Sequence, residues 1–569
     1  MRIIKIINLK SAVAFLCLFV CVGILFMWPQ CTVDNNEFSS TWKHSEGAKN
    51  LKQFEDISCQ INGDYSVKCK KLNGEVYVPF TFLHKYFDIS GKLVKTITNE
   101  ETFEWAHCNA RIYYPKSKYN PKGVFAYFEN YSVENRDRVK CVSGIEGVPI
   151  TTQWDPAGYF YPTQIAQYGL AHYSKNRTEP EPRRKVLEDG DGVVGEWSVP
   201  KSGGYAGRQY NEQVNSYVFN FHTSESQTVS FAMNSASSDY VLSITLSILS
   251  NSSLSIHINN TERGETYRLH YVCSRDLLNT QGNDFYYGIG CSTTWQTLTR
   301  DLINDVQKGV YLHVPFHKRS KLKLIKSKLK IISIHLYGSG SIDNLTLSSS
   351  DHMAMFYNAA QWLVNHQDNS GGWPNLVTRR ITGSGLNDLQ PGWYSAMGQG
   401  HAISVLSRAY YHSGNPVYLN AALKGLKVFR VPVSKGGVLS KFMDKVPWYE
   451  EYPTSPCLSI LNGFIYSLIG LYDLLSVSPK AKSKEVTFLY EQGMSSLKRM
   501  LSLYDTGSGS FYDLRHVTLG IAPKIARCDY HATHVNQLLL LATIDKDSIL
   551  ASTAERWAGY VQGKRASHN

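Results

Sequence analysis

The sequence predicts a multidomain α+β protein: an N-terminal membrane anchor, a β-hairpin and strand region, a β-sandwich, and a C-terminal α/α-barrel, or toroid. Three observations predict it. From Val214 to Ser348, apolar and polar residues alternate, as in Tyr240-Val241-Leu242-Ser243-Ile244-Thr245-Leu246, which is the period of half-buried strands. After Asp351 the spacing turns helical, as in His352-Met353-Ala354-Met355-Phe356-Tyr357 and onward to Val364. The chain has 569 residues, more than one hydrophobic core usually serves.

Taken in order, residues 1–10 form a short tail carrying Arg2, Lys5 and Lys10. The uncharged apolar run 11–28 follows, long enough to span a thin bilayer, and the basic residues before it keep the N-terminus cytoplasmic. The rival reading is a cleaved signal peptide, but Met27-Trp28-Pro29-Gln30 makes a poor cleavage site. Residues 29–64 are polar and lack sustained periodicity, as expected of a stem. In 65–178, β-prone runs such as Val76-Tyr77-Val78 alternate with Gly and Pro turns and predict strands and hairpins. The end of that region is rich in glutamine and tyrosine, including Gln153, Tyr161 and Gln167. Residues 179–348 open with a Pro-, Gly- and charge-rich linker and continue as the sandwich. Within it, Lys318 to Lys330 interleaves basic and apolar residues, as a strand with one basic face would. Residues 349–569 carry helical segments near 400–413, 416–428, 457–475, 483–502, 534–541 and 548–561, separated by Gly- and Pro-containing loops. Successive helix pairs joined this way predict the barrel.

The formal charge is +12, with 36 tyrosines and 12% aromatic residues. That balance favours a polyanionic partner. The anchor and the sequons at Asn130, Asn176, Asn251, Asn259 and Asn344 place the bulk of the chain in the secretory lumen and argue against nucleic acid. Outside the anchor an odd number of cysteines remains, so at least one has no partner within the chain.

Chemistry-bearing residues concentrate between Leu503 and Leu538, and a second cluster reads Trp448-Tyr449-Glu450-Glu451-Tyr452-Pro453-Thr454. Phenols and carboxylates exchange protons, and guanidinium forks onto carboxylate or sulfate, so the combination suits proton transfer on an anionic substrate. Cys528-x-x-His531-x-x-His534 matches no standard zinc spacing and has no evident fourth ligand. No nicotinamide-binding fingerprint occurs, which disfavours a redox route.

The runs PWYEEYPT, LNGFIYSLIGLYDL, LYDTGSGSFYDLRH, LGIAPKIARCDYHATHVNQL and the terminal RASHN resemble the D-glucuronyl C5-epimerase (heparosan-N-sulfate-glucuronate 5-epimerase) family, as do EGVPITTQWDPAGYFYPTQIAQYGLAHYSKN and PGWYSAMGQGHAIS. The likeness runs from about Val76 to the C-terminus. It implies inversion of D-glucuronate to L-iduronate within N-sulfated heparosan during heparan sulfate and heparin synthesis, by an anchored type II Golgi membrane enzyme and homodimer without an organic cofactor. By the same resemblance Glu451, Tyr452, Tyr512 and Tyr530 are catalytic, with Glu451 and Tyr530 as the proton-transfer pair, and Arg515 faces the substrate carboxylate. Tyr131, Arg138, Gln153, Tyr161 and Arg380 become substrate contacts, together with Asn462, Tyr466, Arg527, Asp529 and His531. Tyr119 and Tyr173 match family tyrosines without a distinct role. A structural calcium ion would be held by Glu188, Gly190, Asn211, Glu212 and Asp343. Two rivals stand beside this reading. A polysaccharide lyase abstracts the same C5 proton and then eliminates, and a heparan-binding protein would keep the cleft without the chemistry.

Overall fold

The structure is a computed structural model that describes residues 54–567, apart from 62–64, 87–88, 96–98, 107–109, 193–195, 225–226, 234–238, 292–293 and 382–384. The tail, the anchor run 11–28 and most of the expected stem lie outside the described residues. Among the described residues, no helix is long and apolar enough to cross a membrane. The chain divides into two compact units, 1–87 and 88–569.

In the first unit, what reads as stem ends in a strand. Glu55–Ile61 pairs antiparallel with Tyr65–Leu72, which also pairs with Glu75–Tyr77, and a short helix α1 (Phe80–Tyr86) follows. The Cys59–Cys69 disulfide ties the first two strands together. Ile57, Cys59 and Ile61 alternate with exposed Ser58 and Gln60, but the run is short and its apolar side chains are only half-buried, so it does not stand out from the polar stretch before it.

The second unit contains the expected sandwich. One sheet has seven strands, in the order Trp197–Ser198, Val229–Ala232, Leu329–Tyr337, Ser253–Asn260, Glu265–Val272, Asp284–Gly288 and Asn279–Gln281. All its pairings are antiparallel except that between Glu265–Val272 and Asp284–Gly288. The facing sheet runs Gly204–Asn211, Ser216–Thr223, Ser339–Ser348, Val241–Ile248 and Gln296–Asp301, with Arg184–Glu188 also paired to Ser339–Ser348. Buried and half-buried residues alternate along Val241–Ile248, so Leu242, Ile244, Leu246 and Ile248 enter the inter-sheet core. Lys318 to Lys330 is not a strand: one helical turn (Phe316–Arg319) and two 3-10 turns precede Leu329, where the strand begins. Its lysines are exposed and only Leu324 and Leu329 are buried, so the interleaved charge reflects a solvated connection.

The β-rich reading of 65–178 fails at its end. Pro162–Thr178 is a helix, α2, begun by Pro162 and buried along nearly its whole length. A helix buried on every side has no polar stripe, so the 3.6-residue period is absent. Helix α3 (Leu302–Tyr311) leaves the sandwich, its first turn capped by Asp301, whose side chain accepts from the Ile303 and Asn304 N–H groups. The C-terminal helices are α4 (His352–Asn365), α5 (Ala396–Ser413), α6 (Pro416–Gly425), α7 (Leu461–Val477), α8 (Lys484–Met500), α9 (Cys528–Ile544) and α10 (Ser548–Val561). Contacts run in succession from α4 through α2, α5, α7 and α9 to α10. Helices α5 and α7 cross unusually closely: a Cβ on Gly470 would lie 2.2 Å from the Gly400 carbonyl oxygen, so neither position has room for a side chain. One apolar core unites these helices with α2 and with Tyr119, Phe125 and Phe128, so the 119–173 segment belongs partly to the helical domain.

Candidate active site

A cavity of about 570 Å³ opens among the 110–138 segment, α2, α5, the 451–452 turn, α7 and the start of α9. The β-sandwich side holds one of its walls. Buried Arg300 donates to the Val142 and Ser143 carbonyls while forking onto Asp305, and Asn304 donates to Asn135. Lys308 donates to the Arg136 carbonyl at 2.9 Å. These bonds fix the chain that presents Arg136 and Arg138 to the cavity, with Arg136 also donating to Gln167 at 2.8 Å.

On the opposite wall, successive glutamates diverge. Glu450 turns into the core, where Ser440 Oγ and the Ser459 N–H donate to its two oxygens. Glu451 turns into the cavity, is only 7% exposed, and leaves its Oε2 without a hydrogen-bond partner. Burial pushes the Glu451 carboxyl up to about 7, against the pull of the Tyr452 hydroxyl, Lys524 and Arg379. Gly463 lies directly behind it, where a Cβ would come within 2.4 Å of Oε2. Tyr452 packs beside Trp154 and Trp393, and the Arg379 guanidinium lies 5.3 Å from its ring centre. Burial holds the phenols of Tyr452, Tyr512 and Tyr530 above their usual range, and ionised Glu451 adds to the effect. These phenols are therefore protonated near neutral pH and act as donors.

Of the residues expected from sequence, Glu451, Tyr452 and Tyr530 line the cavity together with Tyr131, Arg138 and Gln153. Tyr161, Asn462, Tyr466, Arg527 and Asp529 line it as well. Tyr512 stands one layer back, its ring edge-on to Tyr530 at 5.0 Å with Lys524 Nζ 4.1 Å above it. Arg515 is not among the lining residues; its Nε and Nη2 fork onto buried Asp513. His531 is buried between Ser510 Oγ and the Trp557 carbonyl, and so supports the base of α9 in place of touching a ligand. Arg380 is exposed, while its neighbour Arg379 reaches the Tyr452 ring: in the extended chain around the Arg379–Leu389 bridge, adjacent side chains point to opposite sides. Tyr119 is bound into a buried triad with Arg408 and Asp473, and Tyr173 donates to the Lys122 carbonyl, so both are structural.

Sequence reading missed Arg136, Arg379 and Lys524. Arg136 and Arg138 lie in a turn that the Val139 N–H closes on the Arg136 carbonyl, so their spacing carries no periodic signal. The other two became visible only through packing. Cys528 is disulfide-bonded, which removes it as a zinc ligand, and among the described residues no group of three or more His, Cys, Asp or Glu could hold a metal. The residues expected to hold calcium do not fit it as arranged. Both Glu188 oxygens are taken by Arg208, Gly190 N–H and Trp197 Nε1, Asn211 Oδ1 accepts from Gln213, and Glu212 is exposed. Asp343 accepts from the backbone and side chain of Asn344.

Comparison with known proteins adds to this geometry. Residues 367–559 match the family described as D-glucuronyl C5-epimerase C-terminus, and 215–339 match the D-glucuronyl C5-epimerase β-sandwich domain. The chain is 38% identical over 559 residues, covering 90% of each chain, to a protein of Caenorhabditis elegans named D-glucuronyl C5-epimerase. It is 32% identical over 178 residues to an uncharacterised protein of Methanocaldococcus jannaschii, covering 30% of this chain and 54% of that one. Among solved structures, a family 29 carbohydrate-binding module matches at 15% identity and a TM-score of 0.18, covering 31% of this chain and 91% of its own, which is too low a score to carry an argument.

Proposed function

The chain belongs to the D-glucuronyl C5-epimerase family and is therefore an isomerase, and we propose that it inverts C5 of D-glucuronate to L-iduronate within N-sulfated heparosan during heparan sulfate and heparin synthesis. The observation that carries the reading is Glu451, a buried carboxyl with an unpartnered oxygen and a pKa pushed up to about 7, facing a cavity rich in arginine and tyrosine.

Epimerisation removes the C5 proton from one face of the sugar and returns a proton to the other. The electrons left behind delocalise into the adjacent carboxylate, which needs cations and hydrogen-bond donors around it. Glu451 is poised to exchange a proton near neutral pH, and Tyr530 offers a protonated phenol from the neighbouring helix. Tyr452 and Tyr512 hold these two in place. Arg138 and Arg379, which act electrostatically on Glu451, Tyr161, Tyr452 or Tyr530, supply the positive field at the enolising carboxylate.

The same reading takes the succession of helices as an α/α toroid. It makes the chain a homodimer anchored in the Golgi membrane through residues 11–28, with the remainder lumenal. The uncharged run and the sequons support the topology. Protease protection on intact vesicles tests it, since digestion of the C-terminal domain without detergent contradicts it. For the chemistry, the protein is incubated with N-sulfated heparosan in heavy water. Disaccharide analysis should give iduronate carrying deuterium at C5. An ultraviolet-absorbing unsaturated product identifies a lyase and overturns the proposal.

A further inference from the structure

A second cavity of about 550 Å³ lies on the other side of the wall that carries Arg136 and Arg138. Where those two residues line the active cavity, Asp137 and Val139 line this one, the chain turning between them with the Val139 N–H donating to the Arg136 carbonyl. The strand register is irregular between Val139 and Cys141, and Lys140 lines the second cavity with Val139. Across from them stand Lys308 on α3, and His313 and Arg319 just beyond it. Asp137 is the only acidic residue among those lining the space.

We propose that this cavity is an anion exosite, which takes a sulfo or carboxylate group of the same polysaccharide whose uronate occupies the active cavity; the proposal rests on the substrate reading above. Lys308 is the main reason. It is 3% exposed and donates to one carbonyl, that of Arg136; the Asp137 and Glu134 charges act on it, but among the described residues it forms no ion pair. Burial lowers its pKa to about 8, so its charge is held at a cost that an arriving anion would relieve. Arg319 is braced for the same task. Its Nε and Nη1 donate to the Val314 and Asp137 carbonyls, and its guanidinium lies 5.5 Å from the Tyr311 ring centre, which leaves Nη2 as the free arm of a preset fork. Leu278, Leu312 and Pro156 form an apolar surround that strengthens any ion contact made inside. On this proposal a long polymer engages both cavities and a tetrasaccharide only the active one.

The test compares the whole protein with a Lys140→Gln/Arg319→Gln double variant, neither residue being part of the active cavity. Fluorescence anisotropy with end-labelled N-sulfated heparosan should show about a tenfold weaker Kd for long chains and less than a twofold change for the tetrasaccharide. Equal weakening of both lengths, or no weakening of either, overturns the exosite. Sodium sulfate at constant ionic strength separates the possible sources of the anion: if sulfate raises the Tm of the wild type but not the variant while long-chain Kd is unaffected, the cavity takes free small anions and the polymer proposal falls. Because binding is read directly, the outcome does not depend on turnover. A wild-type protein that leaves C5 unlabelled in heavy water defeats the epimerase reading without touching this one.

Discussion

The helical domain contains two clusters built from the same side chains, tyrosine, arginine and carboxylate, and they differ in how completely they are satisfied. In the first, Tyr119 donates to Asp473 at 2.8 Å, while Arg408 donates to Asp473 at 2.6 Å and to the Tyr119 oxygen at 2.9 Å. Two more guanidinium protons reach the Gly123 and Ser404 carbonyls, and the cluster is sealed in the core. In the second, Glu451 keeps an oxygen unpaired beside Tyr452 and Tyr530, and the space in front of it is open. A closed cluster locks α7 to α5 and to the 119–123 segment. An open one pays a desolvation penalty without compensation in the free protein, which is how a group is kept ready for a proton.

Substitutions that remove one carboxylate from each cluster test that contrast. Glu451→Gln should cut turnover about a hundredfold or more, the scale of a general acid–base group, while leaving the fold intact. Asp473→Asn strands the buried Arg408 and should cost roughly 3–5 kcal/mol of stability, with turnover falling only as the folded fraction falls. Thermal unfolding and initial rates on the same samples separate the two. If Glu451→Gln unfolds the protein and Asp473→Asn does not, the assignment of strut and active group is reversed.

The pH dependence sharpens the same comparison. Below pH 4.5 the Glu451 carboxyl is neutral in both folded and unfolded chains and costs nothing. Between 4.5 and about 7 the unfolded chain ionises first, so stability falls as pH rises, by roughly 3 kcal/mol for this group, and the loss is complete above 7. Glu451→Gln removes that slope: relative to wild type it should gain Tm at pH 8 and gain none at pH 4. A wild-type Tm that changes with pH no more than the variant's contradicts the raised pKa.

A close backbone approach predicts a smaller effect. Gly463 gives the Glu451 carboxylate its place, and a methyl group there would meet Oε2 at 2.4 Å. Gly463→Ala should therefore displace the carboxylate and lower turnover between about ten- and a hundredfold, since displacement of a reacting group by about 1 Å is worth that much. Alanine is a better helix former than glycine, so Tm should fall less than at Gly400, where the substituted atom would meet backbone of the neighbouring helix.

Much of this was legible beforehand, for reasons the structure makes concrete. Strands such as Val241–Ile248 have one buried face, and helices such as α8 have one buried stripe, so their periods survive in the sequence. Helix α2 and the strand Glu55–Ile61 did not show, the first being buried all round and the second alternating only over the short run Ile57, Cys59 and Ile61. The site residues on matching motifs, from Tyr131 to Tyr530, largely gather in one cavity. Arg515 and His531 share those motifs yet face Asp513 and Trp557, because a motif fixes neighbours along the chain and says nothing of which way each side chain turns.

That limit sets the smallest of the predicted effects, at two adjacent arginines. Arg379 reaches the Tyr452 ring at 5.3 Å and the Trp154 ring at 4.8 Å, and its charge acts on Glu451. Arg380 is exposed on the opposite side of the same extended segment. Arg379→Lys keeps one positive charge but loses the planar group that lies against both rings, so the ammonium retreats toward water. Turnover should fall about tenfold, and the apparent pKa of the limb belonging to Glu451 should rise, because a cation that lowers it has moved away. Arg380→Lys should change neither by more than about twofold, since an exposed charge at that position is screened. Measuring kcat against pH for both variants decides between them. If Arg380→Lys shifts the limb and Arg379→Lys does not, the segment sits one residue out of register, and the cation over Tyr452 is the one the sequence motif first suggested.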